Sequence, residues 1–107
     1  MSDTTELACK LIGPELAERK AVIAAELLDH VERVDELPDG FALRWGSGDP
    51  WAERALEIVH LERQCCPFIR FEVSLEPNDG PITLRLLGNE VVKQFIRDEL
   101  LTPKPSL

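Results

Sequence analysis

Hydrophobic residues alternate with smaller or polar ones in Leu7-Ala8-Cys9-Lys10-Leu11, the period-two pattern of a half-buried strand with Cys9 turned inward. Gly13-Pro14-Glu15 then opens a helix, because proline suits the first helical position and Glu15 and Glu18 suit the positive end of the helix dipole. Leu16, Ile23 and Leu27, flanked by Ala24 and Leu28, give this helix one apolar stripe, which fades near Asp29. Val31 to Val34 carries a weak strand signal, and Leu37-Pro38-Asp39-Gly40 a strong turn signal. On the return, Phe41, Leu43 and Trp45 alternate with Ala42 and Arg44, so that one face is core and the other wet. Gly46 to Pro50 breaks the chain, with Asp49 as the expected N-cap of a second helix starting at about Trp51. The clearest strand follows, with Ile69, Phe71, Val73 and Leu75 apolar between Arg70, Glu72 and Ser74. Pro77-Asn78-Asp79-Gly80 turns it into Ile82, Leu84 and Leu86, and Gly88-Asn89-Glu90 caps a closing helix with Val91, Val92, Phe95, Ile96 and Leu100.

The order is βαββαββα, which begins with the split βαβ pattern of a ferredoxin-like sheet. It predicts an α+β domain: an antiparallel sheet with helices on one face. The 107 residues suffice for one domain, with frayed ends at about 1–5 and 102–107. A short match also hints at internal duplication. Pro14 precedes Leu16-Ala17-Glu18-Arg19 and Pro50 precedes Trp51-Ala52-Glu53-Arg54, each leading through a helix to a hairpin with Asp-Gly at its turn.

Composition narrows the function classes. A chain that is 44% hydrophobic and 30% charged is an ordinary globular one, without an apolar run of membrane-span length. The polar start Met1 to Glu6 lacks the basic and then apolar pattern of a signal peptide, so a cytoplasmic location is expected. A net charge of −8 with scattered basic residues disfavours nucleic acid and membrane surfaces as partners. Three cysteines in a reducing compartment read as thiols or metal ligands rather than as a disulfide framework.

Chemistry concentrates in Glu62-Arg63-Gln64-Cys65-Cys66-Pro67-Phe68 at the end of the second helix. At about 100° per residue, Ala52, Ala55, Leu56 and Val59 share a sector that also receives Glu62 and Cys66. A carboxylate aimed at the core needs a partner, a metal or a proton. Arg63 and the thiols at Cys65 and Cys66 are the neighbours within one turn. Pro67 disfavours helical geometry at Cys66, which puts the thiols at a helix C-terminus, where the dipole opposes a thiolate. With no Cys-x-x-Cys spacing, a thioredoxin-type enzyme is disfavoured. Three readings stand. The cysteines are small buried hydrophobes at a corner. Or they bind a soft metal ion together with Glu62, or with Cys9 from the first strand. Or they are a redox switch through a vicinal disulfide. Trp45, Trp51 and His60 are candidates for a ligand pocket, with core packing as the competing account of the tryptophans and a boundary position that of His60. Hydrolase, phosphate-loop and zinc-ribbon motifs are missing from the sequence.

The run Glu62-Arg63-x-Cys65-Cys66-Pro67-Phe68, with Phe71 and the later Leu84-Arg85-Leu86-Leu87-Gly88, resembles the hallmark of a family of small uncharacterised bacterial proteins. That resemblance implies a ferredoxin-like α+β domain and brings with it no activity, substrate or cofactor. The expectation from the residues is a small cytosolic protein, not an enzyme, that binds a thiophilic metal or metalloid through Cys65, Cys66 and Glu62. The alternative is a non-catalytic homodimeric association module in which the cysteine pair only packs a corner.

Overall fold

A computed structural model describes residues 13–47 and 50–101. The chain runs α1 (Pro14–His30), β1 (Arg33–Leu37), β2 (Gly40–Trp45), α2 (Trp51–Cys65), β3 (Arg70–Leu75), β4 (Ile82–Leu87) and α3 (Glu90–Phe95), which continues as a π-helical stretch over Ile96–Leu101. All three strand pairings are antiparallel, in the order β1-β2-β4-β3. The α+β class and the antiparallel sheet are therefore present. The ferredoxin-like order does not appear among the described residues, for two reasons. The strand expected at Leu7 to Leu11 lies outside them, as do Asp49 and the frayed ends. The second edge of β2, which a split βαβ unit gives to its first strand, is taken by β4 from Gly40 opposite Leu87 to Trp45 opposite Ile82.

This order is the one that two αββ units give when the last strand of each pairs with the last strand of the other. α1-β1-β2 and α2-β3-β4 are the two units. The helices carry the same reciprocity: Arg19 at the start of α1 donates to Glu57 of α2 at 2.6 Å, and Arg54 at the start of α2 donates to Glu26 of α1 at 2.8 Å. Each early arginine meets a later glutamate of the other helix, so α1 and α2 lie antiparallel.

Strand alternation sorts the sheet into two faces. Phe41, Leu43 and Trp45 stand opposite Leu86, Leu84 and Ile82, and with Ile23, Leu27, Ala55, Ile58, Leu61 and Ile96 of the helices they form the core. Trp45 is 1% exposed, and its indole N–H donates to the Leu27 carbonyl at 2.8 Å, fastening α1 to β2. The opposite face is polar, as expected. Arg70 pairs with Glu72 at 2.9 Å, and Arg85 donates to Ser74 at 3.2 Å.

Turn chemistry closes both hairpins. At Gly40 any Cβ would overlap the Leu86 carbonyl, so the close approach of β2 to β4 requires glycine. Asn78 and Asp79 both take left-handed backbone angles, which these residue types tolerate best after glycine. Asn89 caps α3 by accepting from the Val92 N–H at 2.9 Å, as its position predicted. Three expectations shift. The first hairpin strand is Arg33–Leu37, three residues later than the weak signal at Val31–Val34 placed its end. Leu16 is exposed, because α1 meets the rest of the core only from Ile23 onward. Val91 is exposed, whereas Val92 and Ile96 of the same expected set face inward.

A candidate thiol and carboxylate site

The last turns of α2 bury Ile58, Leu61, Glu62 and Cys65, with Ala55 one turn before them. The inward face is thus rotated from the sector expected on Ala52, Leu56 and Val59: Leu56 is exposed and Cys65 is inside. Glu62 lies in both sectors and is 7% exposed. The helix ends at Cys65, and the Cys66 N–H closes the last turn on the Glu62 carbonyl, where Pro67 was expected to stop it.

Charge compensation for Glu62 comes from another element. Lys20 of α1 donates from Nζ to Glu62 Oε1 at 3.4 Å and to Cys65 Sγ at 3.3 Å. Arg63, one of the partners expected, points to the exposed side. Lys20 could have been found by the reasoning that found Glu62. It stands three residues before Ile23 and seven before Leu27, so it is a charged residue on an apolar stripe.

Burial pushes the Glu62 carboxyl up from the ordinary range, and the Lys20 ammonium pulls against it without cancelling the rise. For Lys20 burial acts downward, and the Glu62 charge together with the Cys65 sulfur outweighs it, so its pKa is raised. The two groups thus face each other in a nearly closed place, the ammonium favoured by its neighbours and the carboxyl held above its ordinary range.

Glu62, Cys65 and Cys66 each bring one donor atom, and the three lie within 4.8 Å of one another. All three residues are buried. Their sulfurs differ in state: Cys65 is a free thiol, whereas Cys66 is disulfide-bonded. A vicinal disulfide between the two is thus not the state seen. The three-donor set belongs to the protein with Cys66 reduced, and in the oxidised state the free donors are the Cys65 thiol and the Glu62 carboxylate. Cys9, the third cysteine, lies outside the described residues.

The candidate pocket of Trp45, Trp51 and His60 is not assembled. Trp45 is in the core, Trp51 stacks on His30 with ring centroids 4.7 Å apart, and His60 is exposed beside Gln64. Instead, a cavity of about 1210 Å³ lies between α1, the sheet and the end of α3. Its walls include Ala21, Ala24, Leu28 and Trp45, with Lys20 and Glu62 among the few charged groups. Of the three pocket candidates Trp45 lines it and Trp51 and His60 do not; the gap itself lies between elements and is not marked by patterning.

No protein family, curated protein or solved structure matches the chain. Among the described residues no helix is long and apolar enough to cross a membrane.

Proposed function

We propose that this protein, with Cys66 reduced, holds a thiophilic ion of low coordination number through Cys65, Cys66 and Glu62. The observation that carries the reading is the convergence of two sulfurs and a carboxylate oxygen within 4.8 Å, all on buried residues. Two sulfurs and one oxygen suit soft d10 ions and metalloids, which accept two or three ligands, better than ions that demand four. Lys20 fits such a site as a counter-charge, because thiolates and a carboxylate around one ion leave surplus negative charge.

The test is Hg(II) and Zn(II) titration of protein reduced with a phosphine, followed by native mass, proton release and melting temperature. Binding to thiols displaces their protons, and an ion that prefers the native state stabilises it as RT ln(1 + [L]/Kd). One ion per chain, proton release and a rise in melting temperature are expected, with Hg(II) the stronger.

A second reading has its own support. Lys20 already satisfies Glu62, and no buried side-chain nitrogen or oxygen lacks a partner among the described residues, so the cluster can be a packed corner with an internal ion pair. Under that reading neither ion binds or stabilises the fold, and alkylating reagents reach Cys65 only after denaturation.

A further inference from the structure

We infer that the ligand is an inorganic trivalent metalloid, taken up as a neutral hydroxide of the arsenite kind by three thiols: Cys65, Cys66 and the sulfur to which Cys66 is joined. The inference rests on the thiophilic reading above and adds the ligand class and the redox condition for binding.

The third donor follows from the oxidation state of the pair. Cys65 is a free thiol and Cys66 is one half of a disulfide. A disulfide joins its two sulfurs directly, so reduction leaves two thiols side by side. The Cys65 sulfur lies within 4.8 Å of the Cys66 sulfur and makes a third. Three is also the whole cysteine complement of the chain. While the disulfide is closed, Cys65 is the one thiol of this set that can take a ligand, so the disulfide gates the site.

Charge balance selects among thiophilic ions. Lys20 and Glu62 already compensate each other at 3.4 Å, with both side chains largely buried. A ligand that left a net charge on the sulfurs would bury it without a partner, which is costly. Three thiolates around a divalent ion carry one negative charge, and around a trivalent metalloid they carry none. A trivalent metalloid also keeps its three bonds on one side and a lone pair on the other, so neighbouring donors need not surround it as they must a tetrahedral ion. The step is As(OH)3 with three thiols giving As(S-Cys)3 and three waters. Three As–S bonds replace three As–O bonds, each thiol proton leaves with a hydroxide, and arsenic stays trivalent. Reduction comes first: a phosphine takes oxygen from water to become its oxide, and two S–H bonds replace the S–S bond.

The experiment uses the full chain, reduced with a phosphine that is then removed, because a dithiol reductant would itself capture arsenic. Arsenite and Hg(II) are compared by native mass, by proton release and by competition with a small dithiol. The expected result is one arsenic per reduced chain with no proton released at neutral pH, whereas Hg(II) on two thiols releases protons. Unreduced protein should retain arsenite at least tenfold less. Cys65→Ser and Cys66→Ser lose arsenite. Cys9→Ser removes the chain's remaining cysteine and should lower arsenite retention at least tenfold while keeping Hg(II) and a cooperative melt. Independently of any variant, loading with arsenite should protect all three cysteines from alkylation, read by peptide mass. A cysteine left reactive in the loaded protein, equal retention by reduced and unreduced protein, or failure of arsenite to bind a protein that takes up Hg(II) would overturn this inference and leave the thiophilic site standing. If the reduced protein takes up neither arsenite nor Hg(II), both readings fall together.

Discussion

Replacing Lys20 by methionine keeps most of the apolar stem and removes the ammonium that Glu62 and Cys65 share. At 3.4 Å two unit charges attract by about 1 kcal/mol in bulk water and by about 5 kcal/mol at an effective dielectric of about 20. The Lys20 side chain is 19% exposed and that of Glu62 is 9% exposed, so the pair sits between these limits. Relief is available to Glu62, because a carboxylate left without its cation can take up a proton. A loss of about 1–3 kcal/mol is therefore expected for Lys20→Met at neutral pH, below the full cost of about 3–5 kcal/mol for breaking a sealed pair. The assay is urea unfolding of reduced, chelator-treated protein in a double-mutant cycle of Lys20→Met with Glu62→Gln. pH supplies a second readout with a definite sign. Burial already raises the Glu62 pKa, and removing Lys20 raises it further. A carboxyl raised on folding contributes stability that is fully present below its unfolded pKa and is lost as pH rises through its folded pKa. The Lys20→Met deficit should thus be small near about pH 5 and widen toward about pH 8. A coupling below about 0.5 kcal/mol, within the scatter of independent sites, would refute the account of the buried pair. So would a deficit constant across that range.

Gly40→Ala should cost roughly 1–3 kcal/mol or more in urea unfolding, because the new methyl meets the Leu86 carbonyl and backbone cannot yield as a side chain can. Glu36 is held below the usual carboxylate range by its hydrogen bond and charge pairing with Lys93, and by Arg97. A carboxyl lowered on folding stabilises above its unfolded pKa of about 4.3 and loses that contribution as pH falls through its folded value. The melting-temperature gap between wild type and Glu36→Gln should accordingly close on acidification from neutral pH. Cys65→Ala should unfold with a loss of about 1–3 kcal/mol, the scale of a small core truncation, and Cys65→Ser with a larger one. The order of the two Cys65 variants in the same titration checks that the thiol is in apolar surroundings.

How far the sequence carries is visible residue by residue. Phe41, Leu43 and Trp45, and Ile82, Leu84 and Leu86, are core positions that alternation alone marks, because a sheet with one dry face forces a period of two. Gly40, Asn78 and Asn89 announce their turns and cap through local backbone chemistry. Helical faces were legible to within one residue: on α2 the sector expected on Ala52, Ala55, Leu56 and Val59 keeps Ala55 and turns toward Ile58, Leu61 and Cys65. Small shifts in rotation leave the apolar count of such a helix almost unchanged, so contact with the sheet decides. Glu62 was legible because it belongs to either sector. What could not be read is what depends on pairing across the chain. The choice of β4 as the neighbour of β2 is one case, and the cavity is another. The disulfide at Cys66 ran against the expectation of reduced thiols, which rested on compartment and not on geometry.

The seam between β2 and β4 has a consequence for how the molecule is assembled. Each hairpin closes over a short loop, whereas the seam joins residues from 37 positions apart (Trp45 with Ile82) to 47 apart (Gly40 with Leu87). Loop-closure entropy makes such distant contacts the slow ones to form, so each αββ half can be sketched early while their union is the late event. The thiol site straddles that union. Glu62, Cys65 and Cys66 come from the second half and Lys20 from the first. The donors lie in one half and their counter-charge in the other, so the environment of the Cys65 thiol becomes a gauge of whether the two have met.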